Sequence, residues 1–500
     1  MLSNLATSFT LVLQPELLIA ILLATVLGYI IGAMPGLGPS LGVALLIPFT
    51  YGMPPVTAIV ALVALYVAAE YGGAITAIML NTPGTAAAVA TSWDGYPMAS
   101  SGQAGFALHV SIISSGLGAF FTAVLLMMTA VPLSEFALRF GPTEYCALAL
   151  LGLSLVSSLG GDSPLRGLLA LSIGVFFATI GTDPESGVPR FAFTPALLEG
   201  IPLVPALLGL YALSESLLLL EKEVVAKMRV KVGSVWKVSI RRYKPLWFTI
   251  FRSSVIGYVI GVIPGAGPSI ASLLAYNEAK RASKGEDKER FGKGNPKGVA
   301  ATEAANNSAA TGALAPMLAL GIPGSATAAI LIGALMIHGL QPGPLLFVRH
   351  PEIPYSIFAA LMLSVPLMVL VGLLGARLWV QVVRVPNTFL SVAVISISII
   401  GAYASENSMF PVYVALVFGA LGYVFRKVNL PLAPIVLALV LVPMAETNYR
   451  RALIIADGSH SIFLTQPITL VLLTLAVLSF LGPLYGSLRK GIKQTAEQED

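Results

Sequence analysis

The most polar stretch inside an apolar run of this sequence is Glu303-Ala304-Ala305-Asn306-Asn307-Ser308. A carboxylate and two amides at membrane depth are costly unless they face a cavity or a partner. On a helix Glu303 and Asn307 lie four residues apart and share a face. Three readings fit Glu303, Asn306 and Asn307: coordination of a cation, structural pairing beneath a bound solute, and, for Glu303, a helix cap near the surface, since Lys297 stands six residues earlier. Sodium favours such hard oxygen ligands, and a proton carried by Glu303 is the competing coupling ion. Glu70, just before Gly72-Gly73, occupies a comparable place earlier in the chain.

A second set of candidates lies where helices break. The stretch Gly28-Tyr29-Ile30-Ile31-Gly32-Ala33-Met34-Pro35-Gly36-Leu37-Gly38-Pro39-Ser40 returns 229 residues later as Gly257-Tyr258-Val259-Ile260-Gly261-Val262-Ile263-Pro264-Gly265-Ala266-Gly267-Pro268-Ser269, with nine of thirteen positions identical. A Pro-Gly-x-Gly-Pro centre cannot continue an α-helix, because two prolines lack amide hydrogens and the glycines favour other angles. A second pair of breaks follows: Leu80-Asn81-Thr82-Pro83-Gly84-Thr85-Ala86 and Leu320-Gly321-Ile322-Pro323-Gly324-Ser325-Ala326. Half-helix N-termini offer free amides and an aligned dipole to an anion. Gly36, Gly38, Gly84, Gly265, Gly267 and Gly324 allow close backbone approach, and Ser40, Asn81, Thr82, Thr85, Ser269, Ser325 and Thr327 add neutral donors. The plain alternative for each hydroxyl is a helix cap. No Arg or Lys lies inside either pair of breaks, so anion recognition would rest on dipoles and hydroxyls, helped by a co-bound cation.

Composition supplies the setting. Hydrophobic residues make up 56% and charged residues 11% of the 500, against about 25% charged in an ordinary soluble domain. Apolar runs long enough to span a bilayer recur along nearly the whole length, which predicts an all-α polytopic membrane protein. The net charge of +5 reflects cytoplasmic loops and calls for no nucleic acid. The single cysteine, Cys146, excludes a disulfide framework, and the four histidines have no metal-ligand spacing. No cofactor is expected beyond the coupling cation. No phosphate-binding loop and no base beside a nucleophile is present, which disfavours an ATPase and an intramembrane hydrolase. Met1 to Gln14 carries no Lys or Arg, so the first apolar run reads as a retained membrane segment.

Basic residues fix an orientation. Residues 1–138 contain none, whereas 222–297 hold 16 of the 29, which places that region in the cytoplasm. The second motif copy lies between two basic clusters, so it reads as the tip of a hairpin that enters and leaves on one side. The first copy, with uncharged flanks, fits a matching hairpin from the opposite face. Broken helices at matching places of two halves point to a secondary transporter's binding site. The expected organisation is a first transmembrane repeat over 1–221, a basic cytoplasmic linker over 222–245, a second repeat over 246–486 and a charged tail over 487–500. Polar loops are expected at Asp94-Gly95-Tyr96-Pro97 and at His338-Gly339-Leu340-Gln341-Pro342-Gly343-Pro344. The other spanning runs read as roughly 105–132, 145–160, 164–181, 202–220, 355–383, 388–404, 410–424, 430–445 and 462–486.

Taken together these motifs resemble the large permease subunit of the bacterial tripartite tricarboxylate transporters, the TctA family, over essentially the whole chain. The carriers of the resemblance are both Gly-Tyr-x-Ile-Gly-x-x-Pro-Gly-x-Gly-Pro-Ser copies, Asn81-Thr82-Pro83-Gly84, Asp94-Gly95-Tyr96-Pro97, Glu303-Ala304-Ala305-Asn306-Asn307, Leu320 to Ser325 and His338 to Pro344. The resemblance implies a multi-pass protein of the bacterial inner membrane. It also implies two partners, a small membrane subunit and a periplasmic solute-binding protein, and uptake of a carboxylate, citrate among the candidates, driven by an ion gradient. An elevator-type movement is an expectation by analogy. A channel is the rival from another class, since broken helices also line pores.

Overall fold

The computed structural model describes residues 2–34, 36–158, 164–183, 185–221, 240–382 and 385–481. Most of the linker expected at 222–245 and all of the tail expected at 487–500 lie outside the described residues, as does Pro35 of the first motif. Among the described residues eight helices are long and apolar enough to cross a membrane.

The first half begins with α1 (Leu2–Val12), α2 (Pro15–Ala33), α3 (Gly38–Thr50) and α4 (Pro55–Leu80). Proline at the first helical turn starts both α2 and α4, where its missing amide leaves nothing unsatisfied. Then come α5 (Val89–Met98), α6 (Ala104–Ala137), α7 (Pro142–Ser158), α8 (Pro164–Ala178) and a run over 203–221, here α9. The polar loop expected around Asp94 is instead inside α5. Asp94 Oδ1 accepts the amides of Gly292 (2.9 Å), Gly294 (2.9 Å) and Asn295 (2.8 Å), which offsets part of the cost of burying that carboxylate in a helix. The chain turns instead at Gly102, whose φ is 85°.

The second half repeats the start with α10 (Trp247–Val262) and α11 (Gly267–Ala282). Next are α12 (Pro296–Gly312), α13 (Leu314–Leu320) and α14 (Ala326–Ile337). The remaining long helices are α15 (Glu352–Val382), α16 (Asn387–Glu406), α17 (Met409–Lys427) and α18 (Leu432–Ile455). The run expected as one helix over 462–486 is interrupted at Gln466, giving 462–465 and 467–481.

Two layers result. The spanning window of α4 is entirely buried, because α2, α3, α5, α12 and α15 pack around it. The window of α16 is only 28% buried, and its outer face carries Phe389, Val392 and Ile400, as suits contact with lipid. α6 of the first half packs on α12 of the second, and α15 of the second packs on α4 of the first, so the halves interlock. The outer layer is formed by α7, α8, α9, α16, α17 and α18. It carries an ion network: Arg190 forks onto Glu446 (2.6 and 3.1 Å), and Arg450 reaches Asp183 (2.5 Å). The Ser186 amide, against desolvation, together with the Glu185 amide and Arg450, holds the Asp183 carboxyl down at about 2.

Candidate functional site

The two motif copies have the same backbone. α2 ends at Ala33 and the chain restarts at Gly38, passing through φ 93° at Gly36 and 59° at Gly38. α10 ends at Val262 and restarts at Gly267, through 81° at Gly265 and 61° at Gly267. Left-handed angles twice in three residues require glycine. Each motif also touches its own half in the same way. A Cβ on Gly32 would stand 2.1 Å from Ala69 O of α4, and one on Gly261 would stand 2.3 Å from Ala309 O of α12.

The second pair of breaks keeps this register. Ala69 and Ala309 are 240 residues apart, and so are the carbonyls that close the two helix ends. Asn81 (φ 55°) and Gly321 (φ 74°) end α4 and α13 in the left-handed region. The next amides then reach back six residues, Thr82 N to Thr76 O at 3.4 Å and Ile322 N to Pro316 O at 3.2 Å. Asn81 therefore ends a helix, whereas Ser325 starts one and accepts the Ala328 amide at 3.1 Å. Gly84 and Gly324 lie against the carbonyls of Gly32 and Gly261, at 2.2 and 2.5 Å for an added Cβ.

The breaks of the two halves meet. The hydroxyls of Ser40 and Thr327 are 2.9 Å apart, and those of Tyr66 and Ser325 are 3.1 Å apart. Within the second half, Gly265 N donates to Gly324 O at 3.1 Å, and a Cβ on Gly267 would lie 3.8 Å from Ser325 Cβ. Ser40, Gly265, Gly267, Gly324 and Ser325 thus form one group, with half-buried and buried hydroxyls and amides. Other candidates stand apart from it. Gly36 is exposed beside the Glu215 carboxylate, Gly38 has open space around it, Asn81 is exposed, and Thr82 donates to Leu80 O at 3.3 Å. Ser269 is half-buried, and among the described residues its hydroxyl makes no hydrogen bond. Tyr66 escaped the sequence reading because an aromatic ring in an apolar run reads as core, and its partner Ser325 lies 259 residues away.

Glu303, Asn306 and Asn307 lie in α12, which crosses α4. The capping alternative for Glu303 is excluded: Asn295 caps α12, accepting the Lys297 amide at 3.0 Å, and Glu303 is fully buried in mid-helix. Thr91 donates to Glu303 Oε1 at 2.5 Å and Ser115 to Oε2 at 3.0 Å. Those two hydroxyls were not anticipated, since they come from α5 and α6 of the other half. Asn306 Nδ2 donates to Glu70 O at 3.2 Å and Asn307 Nδ2 to Val67 O at 3.1 Å. The Oδ1 atoms of Asn306 and Asn307 are buried and have no partner among the described residues, and the same holds for the hydroxyls of Thr85 and Ser308. The buried Glu70 carboxylate stands close enough to Glu303 for the two charges to interact. The two are not counterparts, however. In the 240-residue register Glu303 matches Val63 and Glu70 matches Ala310. Among the described residues no three His, Cys, Asp or Glu side chains cluster as for a transition-metal site.

Comparison with known proteins agrees with this architecture. The sequence model of the family described as the tripartite tricarboxylate transporter TctA family matches residues 18–437. An uncharacterized 52.8 kDa protein in the TAR-I ttuC' 3' region of Agrobacterium vitis is 35% identical over 460 residues, covering 92% of this chain and 91% of the relative. An uncharacterized protein in the TAR-II ttuC' 3' region of the same organism is 36% identical over 244 residues, covering 49% of this chain and all of the relative. No solved structure matches.

Proposed function

The chain belongs to the tripartite tricarboxylate transporter TctA family, and from that membership we propose that it is the inner-membrane permease that imports a citrate-like carboxylate down a cation gradient. The observation that carries this reading is the contact of the first-half break with the second-half break, Ser40 to Thr327, where Gly265 and Gly324 already join the two breaks of the second half, inside an apolar protein. Paired breaks of this kind present amide dipoles to an anion near the bilayer midplane. The halves 1–221 and 246–486 would be inverted repeats, joined through the basic linker 222–245. The inner layer around α4 and α12 would move against the outer layer in the manner of an elevator. A small membrane subunit and a periplasmic binding protein that delivers the solute complete the system.

The cation would sit at Glu303, Asn306 and Asn307. Two buried carboxylates, Glu70 and Glu303, have no basic partner among the described residues, and such charges need a counter-ion in a low dielectric. The unpartnered Asn306 and Asn307 oxygens are ready ligands for it. Sodium and a proton are the two candidates, and carbonyls freed at the breaks could complete a sodium shell.

The test is uptake of labelled citrate, succinate and acetate into vesicles holding the permease with its two partners, with and without a sodium or proton gradient. Saturable uptake that needs both the gradient and the binding protein is expected. Flux that does not saturate and ignores both gradients would mean a channel.

A further inference from the structure

A cavity of about 510 Å³ lies between the His338–Pro344 loop and α18, and its floor includes Gly321, the residue that ends α13 at the second break. Its size falls in the range of about 300–1,000 Å³ usual for small-molecule sites. The loop is fastened to the break, since Gly343 N donates to Leu318 O at 3.1 Å. Arg451 is the only charged side chain in the lining, and Gln341, Thr447 and Asn448 are the other polar ones. The neighbouring cations on this side of the protein are balanced: Arg190 and Arg450 share Asp183 and Glu446. Arg451, one residue further along α18, makes no hydrogen bond or ion pair among the described residues, nor do the side chains of Gln341 and Thr447.

The position of the cavity across the membrane follows from the helices. Glu221, at the end of α9 next to the basic linker, binds Tyr423 and Lys427 at the end of α17. α18 starts five residues later, and Arg451 lies 19 residues into it. At about 1.5 Å per residue that is about 28 Å, a full bilayer core. The other end of α9 agrees, because Arg190, in the loop before it, is the residue that forks onto Glu446 of α18. With the linker cytoplasmic, the cavity opens on the outer face.

We propose that this cavity is an outer capture site for the transported carboxylate, with Arg451 as its anion-binding residue and Gln341, Thr447 and Asn448 as polar contacts. A guanidinium fork matches a carboxylate with two parallel hydrogen bonds. The breaks themselves hold no Lys or Arg, so Arg451 supplies the full positive charge that they lack. A solute bound here rests against Gly321, four residues from Ser325. The proposal rests on the reading of the protein as a carboxylate importer.

The experiment separates the two. Met336→Cys, a lining position, is introduced in a Cys146→Ser background and labelled from outside with an impermeant thiol reagent. Citrate, succinate and acetate are tried as protectants, in vesicles with and without anionic phospholipid, with Arg451 intact and in Arg451→Gln and Arg451→Lys. At least one of these carboxylates should slow labelling with Arg451 present, lose that effect in Arg451→Gln and keep part of it in Arg451→Lys. In the complete system Arg451→Gln should raise the KM for uptake about tenfold with little change in maximal rate. Protection without transport of any of the three would uphold the site and sink the importer reading. Transport with no protection, and with a KM unmoved in Arg451→Gln, would overturn the site and leave the importer reading standing. Neither protection nor transport would sink both. Slowed labelling that follows anionic lipid instead of carboxylate would reassign Arg451 to lipid headgroups.

Discussion

α4 and α12 are built on one plan and carry different chemistry. Each receives a glycine of the repeated motif on its backbone, at Ala69 O and Ala309 O, and α4 and α13, the short helix that follows α12, each end in a left-handed residue followed by a Pro-Gly break. Yet at matching positions α4 has Val63, Tyr66 and Val67 where α12 has Glu303, Asn306 and Asn307. The duplicated features are those that shape the backbone. The features that differ are oxygen ligands, and they gather in the second half, where Asn306 and Asn307 also bind the α4 backbone at Glu70 O and Val67 O. Duplication thus supplies the scaffold twice, and one copy has been given over to holding α4 and, as proposed, the cation.

The largest test strikes the shared plan. Gly32→Leu and Gly261→Leu each force a side chain into a backbone carbonyl that a Cβ alone would approach to 2.1 or 2.3 Å. Neither carbonyl can retreat without moving a buried helix, so each change should cost more than about 3 kcal/mol. Both variants should lose the monodisperse peak in detergent size-exclusion chromatography, to a similar degree. If one is tolerated and the other is not, the two halves do not make equal demands and the common plan is only apparent.

The next test addresses the difference. Glu303→Gln keeps an oxygen and the reach to Thr91 and Ser115 but removes the charge. Gradient-driven accumulation should fall at least about tenfold, equivalent to about 1.4 kcal/mol, and Glu70→Gln should do less. With sodium coupling, part of the sodium-dependent uptake survives in Glu303→Gln. With proton coupling, accumulation vanishes while exchange of substrate across the membrane persists. Unchanged accumulation and exchange would remove Glu303 from the cation site, and a larger effect at Glu70 would reverse the asymmetry between the helices.

The plan was legible in the sequence and the partners were not. Gly-Tyr-x-Ile-Gly-x-x-Pro-Gly-x-Gly-Pro-Ser fixes its own backbone, because glycine angles and missing proline amides are local properties. Most of the helices that follow were placed to within a few residues, but the run expected over 430–445 continues to Ile455 and the one over 462–486 is interrupted, and a long-range contact decides at Asp94, whose burial in α5 depends on amides some 200 residues away. Residues that complete a site from another half, such as Thr91 and Ser115 on Glu303 or Tyr66 on Ser325, leave no local trace. Glu70 misled for the same reason: its spacing from nearby glycines suggested equivalence to Glu303, and only the packing register separates them.

The smallest test concerns the one place among the described residues where a hydroxyl from the repeated motif of one half meets a hydroxyl from the break of the other, Ser40 with Thr327. If these two groups serve only each other, either Ser40→Ala or Thr327→Val removes the same hydrogen bond, worth about 1 kcal/mol net. The double variant should then lose little more than either single one, and a double-mutant cycle on thermal stability should return a coupling near that value. Substrate affinity should stay close to that of the parent. If instead each hydroxyl faces the carboxylate during transport, each substitution should raise the KM for uptake by itself, the two effects should add, and the stability cycle should show little coupling. The second result would make the junction of the halves the binding site in the strict sense, with ligands drawn from both. The first would make it a joint that holds the two breaks in register while amides and the cation bind the solute.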